Sequence, residues 1–377
     1  MKKKVLVLGN SCLVIFGMRG ELIQRLVSEG YEVTAVAPSD SFGNLETYSK
    51  AYGCSFENIV IDRHGTNIFK EFMLLLNYIK IMKRVRPDAV LTYTIKCNIY
   101  GGLASRILKI PYYVNITGRG KGLEDGGIQE KILRVLYKMA LKSAGCVYFQ
   151  NENDRQYFLN HHIRFPKGVL LPGSGVNLEK YMPLPYPSDD KIVFTFVARV
   201  MKAKGIDQFL DAAEAIRKEK NNVEFHVCGY LEEDYKEVIE NAQSSGTIVY
   251  HGLVSDIRTI EKISQCIVLP TYYPEGLSNV LLEAAACARP IITTNHPGCR
   301  EVVDDGVNGY LVRERDSEDL IRAMRKFLSL PREERRNMGL AGREKVEKEF
   351  DRQIVVQKYV KELESLEHTT EDADVTR

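Results

Sequence analysis

Pro270-Thr271-Tyr272-Tyr273-Pro274-Glu275-Gly276-Leu277-Ser278-Asn279-Val280-Leu281-Leu282-Glu283-Ala284 is preceded by the apolar run Cys266-Ile267-Val268-Leu269 and followed by Ala285-Ala286. The apolar run has the length of a buried strand, and Val280–Ala286 has strong helix propensity. The order is therefore strand, glycine-containing turn, helix. Such a turn presents free N–H groups at a helix N-terminus, a ready anion site. Glu275 and Glu283 stand eight positions apart, a little over two helical turns, so they cannot share one ligand atom unless Glu275 sits off the helix. We read Glu275 as a turn residue at the floor of a site. Glu283 is then a helix residue reaching a second part of one long ligand.

The totals fit a soluble globular chain. Its 377 residues are 44% hydrophobic and 27% charged, which predicts two domains rather than one core. No apolar run approaches the roughly 18 residues of a membrane span. Met1-Lys2-Lys3-Lys4 is basic, but the apolar run after it is too short for a signal peptide and reads as a first buried strand. The eight cysteines are scattered with no C-x-x-C pair, and Cys146, Cys228 and Cys266 lie in apolar runs. Buried free thiols in a reducing cytoplasm are expected. The net charge of +2 conceals an asymmetry. Residues 1–170 hold 24 Lys and Arg against 14 Asp and Glu, a formal +10; the remainder holds 28 against 36, a formal −8. A basic first half suits an anionic partner such as a membrane surface, a lipid diphosphate or nucleic acid; scatter on a solvated surface is the alternative.

Working back from the opening stretch, the same grammar fills the chain. Strands at Val5–Gly9, Val33–Ala37, Ile59–Ile61, Ala89–Thr92, Pro111–Ile116 and Cys146–Phe149 alternate with helices at Gly20–Gly30, Phe69–Val85, Gly101–Leu108 and Gln129–Ser143. Arg86-Pro87 stops the long helix. This is βαβ repetition around a parallel sheet. Pro172, Gly173, Gly175, Pro183, Pro185 and Pro187 then crowd into irregular sequence. We place a first domain at 1–172, a linker at 173–190 and a second α/β domain at 191–350, with a deep cleft between the domains. A helix over 351–366 is expected to fold back on the first domain, and 367–377 to be a disordered tail.

Arg199 and Lys204 flank a short loop after the first strand of the second domain, Ile192–Ala198. Two fixed cations there suit a diphosphate, Arg as a fork and Lys as a point charge. With these residues in view the chain resembles the retaining glycosyltransferase family 4, of the GT-B fold. The resemblance is carried by Arg199…Lys204-Gly205, by Glu275–Ala284, by Asp305-Gly306-Val307-Asn308-Gly309-Tyr310-Leu311-Val312, and by the interdomain segment Gly175–Tyr181. Thr92–Gly101 and Asn115–Gly120 are similar to the subgroup serving bacterial capsule, O-antigen and N-glycan assembly. That subgroup includes a transferase that adds α-linked N-acetylgalactosamine to a lipid-diphosphate sugar. The resemblance implies two Rossmann-like domains facing across the cleft.

It also implies roles. Arg199 and Lys204 would neutralise the donor diphosphate, with amides near Leu277, Ser278, Asn279 and Val280 completing the anion site. Glu275 would hold the donor sugar's hydroxyls and Glu283 the nucleotide ribose. Gly17 and Arg19, on a loop after the first strand, would approach the diphosphate from the first domain; Arg19 as a structural helix-start residue is the alternative. The Thr117–Gly127 loop, with Arg119, would line the acceptor side. Relatives place His, Asp or Glu where Thr117 falls. Threonine is no general base at neutral pH, so a leaving-phosphate oxygen would take the acceptor's proton. Lys96 and Asn98 are candidates for the acceptor diphosphate or donor sugar, or for structural roles. Phe69–Arg86 carries Phe72, Leu75, Leu76, Ile79 and Met82 on one face and Lys80, Lys83, Arg84 and Arg86 at its end. It packs on the core or rests on anionic lipid.

The expected partners are a UDP-sugar, a lipid-diphosphate-linked saccharide and the anionic inner face of the cell membrane, with no nucleic acid, no cofactor and no metal. The seven histidines show no ligand spacing, and Asp372-Ala373-Asp374 matches a metal-binding D-x-D by letters alone. The rivals are a UDP-sugar 2-epimerase of the same architecture, a non-catalytic binding protein, and a nucleic-acid binder using the basic half.

Overall fold

The computed structural model describes residues 2–39, 44–62, 65, 67–124 and 126–374. They form two compact units, Met1–Ser174 with Gln353–Arg377, and Gly175–Arg352.

In the first unit seven strands, β1 (Lys4–Leu8), β2 (Glu32–Ala37), β3 (Ser55–Asn58), β4 (Ala89–Tyr93), β5 (Tyr112–Ile116), β6 (Cys146–Phe149) and β7 (Gly168–Leu170), make a parallel sheet in the order β3-β2-β1-β4-β5-β6-β7. The helices are α1 (Met18–Ser28), α2 (Leu45–Tyr52), α3 (Ile68–Val85), α4 (Gly102–Leu108), α5 (Ile128–Leu141) and α6 (Glu152–Asn160). Helices cover both faces, so the central strands are apolar throughout. Val5 and Val7 of β1 join Leu22 and Ile23 of α1, while Leu6 and Leu8 join Tyr78 of α3 and Tyr137 of α5.

The second unit repeats the plan. Strands β8 (Ile192–Val197), β9 (Val223–Cys228), β10 (Val249–Gly252), β11 (Cys266–Leu269), β12 (Ile291–Thr294) and β13 (Gly309–Val312) are parallel, in the order β10-β9-β8-β11-β12-β13. They alternate with α7 (Ile206–Glu219), α8 (Lys236–Ser244), α9 (Arg258–Glu261) and α10 (Asn279–Ala286), and α11 (Ser317–Ser329) and α12 (Arg332–Glu349) follow. In each sheet the strand order reverses once, at β1/β4 and at β8/β11, which is where folds of this type hold ligands.

Five expectations are corrected. The stretch after β1 is not a loop: one wide helical turn over Leu13–Gly17 runs into α1. The third strand is Ser55–Asn58 rather than Ile59–Ile61; on the sheet edge a polar strand suffices, and Val60 is exposed. α3 buries Leu74, Tyr78, Ile81 and Met82, leaving Phe72 and Leu76 exposed, because a helix apolar nearly all round does not declare its face by periodicity. The 173–190 stretch is no free linker: Tyr181 packs into the second unit's core and the Tyr186 hydroxyl donates to the Gln265 carbonyl at 3.1 Å. The final helix α13 spans Arg352–Asp374, so most of the expected disordered tail is helical, in a segment free of Gly and Pro; residues 375–377 lie outside the described ones. α13 puts Val355, Val356, Tyr359, Val360 and Leu363 into the first unit's core beside Val5 and Leu91.

Candidate active site

In the second unit the polypeptide brings Arg199, Lys204, Glu275 and the start of α10 to the reversal point between β8 and β11. Arg199 follows β8. Lys204 ends a short 3-10 turn, Lys202–Lys204, and Gly205 caps it with φ +82°. A Cβ at Gly205 would lie 2.1 Å from the Pro270 carbonyl oxygen, so the turn after β8 sits flush on the end of β11. Two bonds fix that contact: Tyr272 N donates to the Ala203 carbonyl at 2.9 Å and the Thr271 hydroxyl donates to it at 3.1 Å.

The Lys204 ammonium is buried and pairs with the Glu275 carboxylate. Burial lowers the lysine's pKa to about 7, and the Arg199 charge adds to that. Tyr273 lies under the two cations, its ring centroid 4.9 Å from Lys204 Nζ and 5.3 Å from Arg199 Cζ. Arg199 also meets Glu232 at 3.0 Å. The pair of cations expected from the sequence is therefore present with a carboxylate on each.

Leu277, Ser278, Asn279 and Val280 enter α10. Leu277 is buried in the core and Val280 packs on it, so their part in a site is played by backbone. The Ser278 amide is not available: it donates to the Gly298 carbonyl at 2.8 Å. The Ser278 side chain makes no capping bond, which leaves the first amides of α10, at Asn279, Val280 and Leu281, without a helical partner. The Asn279 side-chain oxygen is buried with no hydrogen-bond partner. Glu283, one turn further, is largely buried; burial raises its pKa, and the Tyr181 hydroxyl faces it as a hydrogen-bond partner. Tyr181, Tyr273, Glu232 and Gly298 were missed from the sequence. Tyr273 lies inside the opening stretch and Tyr181 in the interdomain segment that carries the resemblance; Glu232 and Gly298 come from distant segments with no signal of their own.

In the first unit the candidates fare differently. Gly17 has ordinary right-handed helical angles within the helical run. Arg19 is buried, its guanidinium 4.5 Å over the Tyr93 ring and donating to the Met18 carbonyl at 3.2 Å; its Nε has no partner. It is thus buried within its own unit, in the first turn of α1. Asn98 is fully buried, accepting from Thr92 and donating to the Asn115 carbonyl, both at 2.8 Å, which commits it to the core. Lys96, beyond β4, pairs with Glu71 and donates to the Gly65 carbonyl at 2.7 Å. Arg119 sits between Glu124 and Asp154, at 2.9 and 2.8 Å, and anchors its loop; burial raises the Asp154 pKa to about 6 against the pull of Arg119. Thr117 is half-buried beyond β5, which neighbours β4 in the sheet. In the same loop Asp125 lies outside the described residues.

Residues 4–151 match the family model described as glycosyl transferase 4-like, and residues 184–345 match glycosyl transferases group 1. Between them they take in most of the chain, which belongs to the glycosyltransferases built from these two domains and has the GT-B fold. The chain is 26% identical over 370 residues to the N,N'-diacetylbacillosaminyl-diphospho-undecaprenol α-1,3-N-acetylgalactosaminyltransferase of Campylobacter jejuni, covering 92% of this chain and 94% of that protein. It is 27% identical over 279 residues to the UDP-Gal:α-D-GlcNAc-diphosphoundecaprenol α-1,3-galactosyltransferase of Escherichia coli, covering 68% of this chain and 70% of that one. Among solved structures, Anabaena HepE in complex with UDP and glucose superposes with a TM-score of 0.79 at 18% identity, covering 96% of this chain and all of that one.

Proposed function

We propose that the protein is a retaining glycosyltransferase that moves a hexose or N-acetylhexosamine from a UDP-sugar to a polyprenyl-diphosphate-linked saccharide. It would work at the cytoplasmic face of the cell membrane, in the assembly of a bacterial surface polysaccharide or glycan. The observation that carries this reading is the convergence of Arg199, Lys204 and the uncapped amides of α10, with Glu275 and Glu283 on either side. Cations and amides suit a diphosphate, and a carboxylate on each flank suits the hydroxyls of a sugar and a ribose. The two curated relatives bear names that specify undecaprenol-diphosphate acceptors, and one specifies a UDP-sugar donor.

The chemistry follows from those groups. The bond between the anomeric carbon and the β-phosphate oxygen breaks, and negative charge grows on that phosphate. Arg199 and Lys204 stabilise it, a contribution of several kcal/mol in a site shielded from water. The acceptor hydroxyl adds to the same face of the anomeric carbon, and its proton passes to the leaving phosphate oxygen, so UDP departs and the sugar keeps its configuration. Side-chain cations carry the diphosphate's charge, so no metal is called on. Thr117 takes no proton in this scheme.

The test is incubation with a panel of UDP-sugars and short-chain polyprenyl-diphosphate saccharides, followed by NMR of the product's anomeric proton. The expected result is an α-linked product that needs the acceptor and disappears in Lys204→Ala. Appearance of the C2-epimerised sugar without acceptor, an inverted product, or no transfer from any donor would overturn the reading.

A further inference from the structure

Two histidines of the second unit have no part in the transfer reaction and meet at the edge of its sheet. His226 lies in β9 and His251 in β10, the edge strand, 25 residues further on. The register of the two strands brings them together. Val249 stands beside His226 and Tyr250 beside Val227, but it is Gly252, not His251, that stands beside Cys228. His251 is thus the extra residue of a β-bulge, a device that re-aims a side chain. Its Nε2 lies 3.2 Å from Nδ1 of His226. His226 is buried and His251 half-buried.

The dimensions are those of a metal site. Two imidazole nitrogens on one tetrahedral zinc, each about 2.0–2.1 Å from the ion, stand about 3.3 Å apart. The ring centroids are 4.9 Å apart and the planes inclined by 48°. That separation is less than the nitrogen–nitrogen distance plus two ring radii, so the two nitrogens do not point along one line, and an ion can sit beside the contact. The far nitrogen of His226, Nε2, is buried with no hydrogen-bond partner among the described residues. The Glu224 carboxylate stands 3.5 Å from it, and Lys191 holds that carboxylate at 2.5 Å. A metal on Nδ1 would keep the ring proton on Nε2 and aim it at Glu224, the carboxylate–histidine–metal chain found around bound zinc.

We propose that His226 and His251 together bind one transition-metal dication of the zinc type, with Glu224 orienting His226. Imidazole nitrogens suit such ions. Among the described residues no group of three His, Cys, Asp or Glu side chains could hold a metal, so water completes the ion's shell. The ion is a clasp between two strands. β10 has a strand on one side only, and an ion shared with β9 ties down that edge. The histidine spacing in the sequence gives no sign of the site, because the sheet makes the pair. The inference is independent of the transfer chemistry, in which this ion has no place.

The experiment is calorimetric titration of the full-length protein, free of any affinity tag, with zinc chloride, alongside melting curves and cobalt(II) substitution. The wild type is expected to bind one zinc per chain and to melt about 3 °C or more higher in excess zinc. His226→Gln and His251→Gln are each expected to weaken zinc binding by about tenfold or more, and Glu224→Gln by about tenfold. The zinc-dependent rise in melting temperature should vanish in His251→Gln. Cobalt(II) should show the visible spectrum of nitrogen and oxygen ligands, without thiolate charge-transfer bands. His226 is buried and its replacement can disturb the fold; His251 is half-buried on an edge strand, so His251→Gln decides the matter alone. The proposal falls if the wild type binds no zinc, if His251→Gln binds zinc like the wild type, or if cobalt(II) reports thiolate ligands. Unchanged binding in Glu224→Gln would remove Glu224 from the site.

Discussion

Lys204 and Glu275 hold one another in the site, and in the proposed reaction a diphosphate would have to take the lysine from the carboxylate. On that proposal the pair opposes binding of a bare nucleotide, and the loss is made good only when a sugar supplies hydroxyls to Glu275. Glu275→Gln should bind UDP severalfold more tightly than the wild type, because the competing charge is gone, while sugar transfer falls by about 100-fold or more. Calorimetry with UDP and a transfer assay read the two effects; weaker UDP binding in the variant would show that Glu275 does not compete for Lys204. A second buried carboxyl, Glu261, has its pKa raised from 4.5 to about 7, chiefly by burial and further by Glu283. The folded protein thus binds this proton more tightly than the unfolded chain does. The stabilisation is complete below about pH 4.5 and is lost as the pH rises to about 7, a change of about 3 kcal/mol. Melting curves of the second unit should shift upward as the pH falls from 7 toward 5, and Glu261→Gln should flatten that slope.

At the scale of the element, the site depends on two turns, after β8 and after β11, lying flush. Gly205 is the point of contact. Gly205→Ala would strain a left-handed residue and push its methyl into the Pro270 carbonyl; a loss of about 3 kcal/mol or more is expected in denaturant titration, with donor KM raised. An unchanged stability would mean that the two turns separate freely. This part of the fold was legible in sequence because strand, turn and helix fall within one contiguous stretch, and because Arg199 and Lys204 follow an apolar strand at short range. The first unit was harder. The family resemblance offers Arg19, Asn98 and Arg119 as ligand residues, with structural roles open for the first two. Their partners, Tyr93, Asn115 and Asp154, come from other elements, and no local pattern announces such a network. The buried face of α3 was hidden by its surplus of apolar residues, which turns out to be the outward-facing stripe of the same helix.

At the scale of the whole molecule, the chain leaves the first unit at Ser174 and comes back at Gln353. The two crossing segments are joined within the second unit: Val176 N donates to the Phe350 carbonyl at 2.9 Å, and Arg352 N to the Val176 carbonyl at 3.1 Å. α13 then supplies five core side chains to the first unit, and Asn115 donates to the Tyr359 hydroxyl at 2.7 Å. Truncation after Arg352 should destabilise the first unit by more than the loss of one large core residue, about 3–5 kcal/mol, and leave the second unit's melting transition in place; differential scanning calorimetry separates the two. The same feature orders events in time. A ribosome makes the residues that complete the first unit's core only after it has made all of the second unit. The half that begins synthesis therefore cannot finish folding until α13 has been made, and until then Tyr93 and Tyr148 wait uncovered for Tyr359. A nascent chain of this protein carries an open sheet through most of its synthesis, which is the state that a chaperone would meet.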